Sequence, residues 1–304
     1  AVLVIWRNRL FKGAYMFGNY FLLTLTFIIP VVCALVCCLV NNLKIRSKIA
    51  GIASFLLLVS IVVIIQQLAN TRGEITILVM NPPFDINWII KLASFFLPIY
   101  FIYAGVKIKK IPIVVMSVLQ IIAMVLFEIF TDIKKPAITI TVNYMSASIM
   151  FLIATIVAFV VFLMTKHIDL FEKKLGIKGR AQAAFISLIF IFSGALNSMI
   201  TSDNILWLYP FWGVTTLCTF LLVFHVNGKM NDIGAVQLLY INLIGSTLFI
   251  IAVIFIYRTE GVLTLRDISK FLPYGRLLGI LPPGMALISF AGFMKAIFLK
   301  LKGK

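Results

Sequence analysis

The residues of this chain that could do chemistry at membrane depth fall into a sparse ionisable set and a richer uncharged one. In the first set, Glu128 in VLFEIFTD is the candidate intramembrane ionisable group. Gln120 lies about two turns back on the same helical stretch, so the two could mark a polar path. A carboxylate at depth is expensive and is usually retained for a purpose, but Glu128 stands near the end of its apolar stretch, and interfacial placement is the stronger reading. Lys91 is about one turn inside the preceding stretch and can snorkel to the boundary, so it receives no role. His167 and His225 each end an apolar stretch, and His167 and Asp169 are spaced wrongly to share a helical face. The chain contains no HExxH, GxSxG, Walker or GxGxxG pattern, and the reading assigns no catalytic residue, cofactor or metal.

The uncharged set is Ser193, Gly194, Asn197 and Ser198, then Thr215, Thr216 and Thr219, then Gln237, Asn242, Gly245 and Ser246. Such residues let helices approach closely and hydrogen-bond across a bundle. Alternatively they line a polar cavity for a solute or lipid head group, and for that role the candidates are Asn197, Ser193, Thr216, Asn242 and Gln237. Arg258, Arg266, Lys270 and Arg276 are candidate contacts for lipid phosphates. Ordinary interfacial anchoring predicts the same four cations.

The elements that must position these residues follow from composition. With 62% hydrophobic and 12% charged residues and a mean hydropathy of +1.11, the chain has lipid as its main solvent. Its net charge of +17 reads as lysine and arginine flanking membrane helices rather than as a nucleic-acid surface. Cys33, Cys37, Cys38 and Cys218 all lie in apolar stretches, which argues against a disulfide framework and for small packing residues.

About nine stretches are long enough, at roughly 20 residues, to cross a bilayer as helices. They are Phe17–Val40, Ile49–Leu68, Trp88–Val106, Ile111–Phe130, Tyr144–Thr165, Ala181–Ile200, Ile205–Val226, Ala235–Tyr257 and the short Gly284–Leu299. If Phe17–Val40 turns back at Pro30 the count becomes eight. The expected fold is therefore an all-α polytopic membrane bundle forming a single integral membrane domain over residues 1–304. Residues 1–16 would be an interfacial segment, and 258–283 an extracytoplasmic loop carrying a short amphipathic helix near 264–272. Trp207, Tyr209 and Trp212 read as an aromatic cluster at a membrane boundary.

The charged run from Lys166 to Arg180 separates two uncharged stretches and must turn in water. Basic residues gather on the loops that share its side, which puts it and the C-terminus in the cytoplasm and the protein in the plasma (inner) membrane. Two β-branched runs, Glu74–Met80 and Pro136–Asn143, either pair into a small external ribbon or form the apolar starts of neighbouring helices.

Three functions fit this pattern. One is a transport or translocation component, possibly the membrane subunit of a larger assembly, handling a solute or lipid. The alternatives are a membrane-embedded transferase acting on a lipid-linked substrate, and a sensory or scaffolding module without chemistry. The expected partners are membrane lipids and other membrane proteins, with no nucleic acid.

Overall fold

The structure, a computed structural model, describes residues 25–71, 73–79, 86–130, 138–166, 180–227, 233–261 and 264. Within these, helix α1 covers Leu25–Leu39 and α2 Leu43–Asn70. Strand β1 follows at Glu74–Val79, then α3 at Ile86–Ile108 and α4 at Ile111–Phe130. Strand β2 covers Ile138–Asn143, α5 Tyr144–Lys166, α6 Arg180–Thr201, α7 Ile205–Asn227 and α8 Ile233–Glu260. Seven of these helices, α2 to α8, are long and apolar enough to cross a membrane. They coincide with the second to eighth expected spans. Residues 1–16, the 264–272 helix beyond Thr264, the span Gly284–Leu299 and the 167–179 turn lie outside the described residues.

Large apolar side chains such as Phe55, Phe96, Leu119 and Phe159 point outward, as a bundle solvated by lipid requires. Helix α7 packs against α6, α8 and α3, α4 packs against α3 and α8, and α5 bridges α2 to α6. Helix α1 joins α6 through Ser187 Oγ, which donates to the Ala34 carbonyl at 2.8 Å.

The basic segment after α1 is helical rather than a loop. Asn42 caps α2, its Oδ1 accepting from the backbone of Lys44 and Ile45 at 3.0 and 3.5 Å, so Lys44, Arg46 and Lys48 sit on the first turns of α2. Arg46 turns inward to 2% exposure, and its guanidinium donates to the Val40 carbonyl at the end of α1, where helix dipole and unmatched carbonyls favour a cation. The turn between α3 and α4 is as tight as the sequence suggests. Lys109 takes a left-handed φ of 60°, and the Lys110 N–H donates to Gly105 O at 2.9 Å.

At the other end of the bundle the two β-branched runs do pair. Strands β1 and β2 are antiparallel, with Glu74 opposite Asn143 and Val79 opposite Ile138. Gly73 launches β1 from the end of α2 with φ 85°, and a Cβ there would lie 2.7 Å from the Tyr144 ring, so only glycine fits. Two further bridges extend this cap, Ile140 to Ser202 and Asn204 to Thr264.

Candidate functional site

The interior polar residues include a satisfied group on α4, α7 and α8 and, among the described residues, several unmatched atoms, one on α2 at Gln67 Oε1 and the others on α6. The satisfied group centres on Gln120, which is 1% exposed. Its Nε2 donates to the Leu243 carbonyl at 3.2 Å and to Ser246 Oγ, and its Oε1 accepts from Tyr209 OH at 3.3 Å. One turn away, Trp212 Nε1 donates to Asn242 Oδ1 at 3.2 Å, and Asn242 Nδ2 donates to Leu238 O at 3.0 Å. The close approach of α7 and α8 depends on Gly245, where a Cβ would sit 3.1 Å from the Trp212 ring.

In this arrangement the WLYPFW aromatics turn toward neighbouring residues of the bundle. Tyr209, Trp212 and Thr216 recur at helical spacing and face inward, so Tyr209 is buried and its hydroxyl finds a side-chain partner. Trp207 packs edge-to-face on Phe211, with ring centroids 6.3 Å apart. The threonines of α7 satisfy themselves on their own helix: Thr215 and Thr216 donate to Trp212 O at 2.8 and 3.0 Å, and Thr219 to Thr215 O at 2.9 Å.

Helix α6 is different. In its apolar window 78% of residues are buried, against 28% in α4, so α6 is the inner helix and α4 a peripheral one. Gln182 Oε1, Ser193 Oγ and both amide atoms of Asn197 are buried without a hydrogen-bond partner among the described residues. At about 100° per residue these three side chains fall within roughly 60° of arc on one face, spread over about 22 Å of helix axis. Ser198 and Thr201, by contrast, donate back to Gly194 O and Asn197 O, each at 2.8 Å. A buried polar atom left unmatched costs about 1–3 kcal/mol, more than a chain would spend on packing alone.

The expected site residues are distributed accordingly. Asn197 and Ser193 share the α6 face, whereas Thr216 on α7 and Asn242 on α8 belong to the satisfied group. Gln237 is exposed on α8 and is not brought to either group. Glu128 does not form a path with Gln120. Eight residues turn the helix by about 80°, so Gln120 faces inward while Glu128 is 50% exposed and forms an ion pair with Lys91 of α3, itself 53% exposed. Arg258 is exposed in the last turn of α8, while Arg266, Lys270, Arg276 and His167, and the side chain of His225, lie outside the described residues.

All four cysteines are free thiols. Cys33 and Cys37 face each other at 3.8 Å in α1, Cys218 is buried, and the exposed Cys38 lies 3.2 Å from Ser187 Oγ.

One carboxylate that the sequence reading passed over stands out. Among the described carboxylates Glu74 and Glu128 are exposed, whereas Asp203, in the short turn between α6 and α7, is 7% exposed. Ser202 and Asn204 beside it are also buried, and Ser202 Oγ donates to Asn204 O at 3.2 Å. Burial of a turn this short depends on the cap formed by β2 and Thr264, which no local spacing announces.

Seven helices long and apolar enough to cross a membrane, packed on an apolar core with a few buried polar residues, define an integral, multi-pass α-helical membrane protein. Within that class, residues 202–302 match the proton-antiporter membrane family, described as NADH:quinone oxidoreductase/Mrp antiporter, TM. Over 86 residues the chain is 31% identical to NADH-quinone oxidoreductase subunit L of Buchnera aphidicola subsp. Baizongia pistaciae (strain Bp), which covers 28% of this chain and 14% of that protein. Over 113 residues it is 26% identical to mnhA2 of Staphylococcus aureus (strain JH9), assigned by name as an antiporter subunit, covering 37% of this chain and 14% of that protein. The chain thus matches about one seventh of the length of each of these relatives.

Proposed function

We propose that this chain is a membrane segment of a multi-subunit transporter, and that it helps to move a proton, or a small cation exchanged for one, along the polar face of α6. The observation that carries the reading is the run of unmatched buried groups at Gln182, Ser193 and Asn197. In an inner helix, groups able to donate and accept but left without protein partners suit a hydrated path for a small ion. The similarity of residues 202–302 to the antiporter family, and of parts of the chain to subunits of an oxidoreductase and an antiporter, supports the same class.

In this reading Phe17–Val40 and Gly284–Leu299 are a first and a ninth span. The end bearing Lys109 and Lys110 faces the cytoplasm of a cell whose inner membrane holds the complex. The partners are the other subunits of that complex and the surrounding lipid.

The test is ion movement by the intact native complex in sealed liposomes, followed with a lumenal pH dye at fixed sodium. Replacing Asn197 with Leu and Ser193 with Ala together should cut the initial rate about ten-fold while assembly is unchanged, since about 1.4 kcal/mol on a barrier is a factor of ten. Wild-type flux from a fully assembled double variant would remove α6 from the path.

A further inference from the structure

We infer that Asp203 is the ion-binding carboxylate at one mouth of the α6 path, the residue that takes up or releases the proton or small cation there; this rests on the reading of α6 as lining a transport path. Three observations converge on it. The first is burial: among the described residues only Arg46 and Asp203 are charged side chains under 9% exposed, and Arg46 lies at the opposite end of the bundle, engaged with the end of α1.

The second is placement. Asp203 follows the last turn of α6, about two turns beyond the unmatched Asn197 amide and about three beyond Ser193. Among the described residues Asp203 is the first buried charge past the end of the helix that carries the unmatched groups. A carboxylate there supplies the charge that amide and hydroxyl groups lack, and its position at the start of α7 offsets part of the cost of holding that charge.

The third is the clamp on its backbone. Its two neighbours are bridged to different parts of the chain, Ser202 to Ile140 of the ribbon and Asn204 to Thr264, and the Trp207 N–H donates to Asn204 O at 3.0 Å. A turn fixed on both sides holds the carboxylate in one place beneath the β1/β2 cap. The plainer role, an acidic residue favouring the N-terminus of α7, is served nearly as well by asparagine. That difference separates the two roles.

The experiment uses the intact complex in sealed liposomes, with transport rates measured against sodium concentration at fixed pH and against proton gradient at fixed sodium. Asp203→Asn keeps the size of the side chain but removes the ionisable group. It should lower the maximal rate or raise the KM for the transported ion about ten-fold, and Asp203→Glu should recover most of that loss. Sodium-dependent and proton-dependent arms tell which ion is bound.

Wild-type rate and KM in an assembled Asp203→Asn complex would overturn the assignment while leaving the α6 path standing. Absence of ion movement by the wild-type complex would overturn both. If Asp203→Asn does not assemble, dicyclohexylcarbodiimide on the wild-type complex decides. The reagent adds the O–H of a protonated carboxyl across its C=N bond and rearranges to an N-acylurea with no leaving group. Modification of Asp203 that stops transport supports the assignment, and an unmodified Asp203, or a modified one with transport intact, overturns it.

Discussion

The interface of α4, α7 and α8 and the inner face of α6 carry similar residue types, amides and hydroxyls at membrane depth, yet they are opposite in their chemistry. Around Gln120 each amide atom has a partner on another helix, Tyr209 and Ser246 are held by the same network, and Asn242 is held separately by Trp212 and Leu238. Along α6 the Asn197 amide and the Ser193 hydroxyl have none among the described residues. A satisfied interhelical network fixes packing and gives each member a single orientation. Unsatisfied groups in an inner helix add nothing to stability and stay available to something that passes. Residue type alone does not distinguish a fastening from a path, whereas the state of the hydrogen bonds does.

The comparison breaks most visibly if the fastening is removed. Trp212→Ala deletes a ring packed on Gly245 and on Phe249, whose centroid lies 5.8 Å away, and leaves Asn242 Oδ1 unmatched. A loss of about 3 kcal/mol is expected for such a truncation, read as a lower unfolding midpoint in detergent. Gln120→Leu should cost less, about 1 kcal/mol, because interhelical hydrogen bonds in membranes are individually modest. Most of that cost is the Tyr209 hydroxyl left buried without an acceptor, so Tyr209→Phe on the Gln120→Leu background should recover part of it. No recovery would mean that the two side chains are not coupled.

The apolar spans were legible because exclusion of water writes itself into twenty-residue runs, and α2 to α8 follow those runs closely. The ribbon was legible only as one of two options, since β-branched runs beside helices do not declare which partner they choose. The burial of Arg46 and of Asp203 escaped the sequence for a common reason. Each sits in a polar run that, read locally, belongs in water, and each is buried by a segment distant in sequence or by the end of a neighbouring helix. The inward turn of Tyr209 and Trp212 was hidden because aromatic residues near a span end suit both the boundary and the core. The split between satisfied and unsatisfied amides could not be read at all, because it depends on which helix α7 comes to lie between.

The sharpest contrast comes from the smallest effect. Asn197→Leu removes two buried atoms that make no hydrogen bond among the described residues, so it should leave the complex as stable as wild type or firmer by up to about 1 kcal/mol. Ser193→Ala should lie within about 0.5 kcal/mol of wild type for the same reason. The opposite sign, a clear destabilisation of either variant in the same unfolding measurement, would mean that α6 is fastened as α4, α7 and α8 are. Stability kept while ion flux falls is the pattern that a path predicts and a fastening forbids, because a group that contributes nothing to the fold but is needed for transport can only be acting on what moves past it.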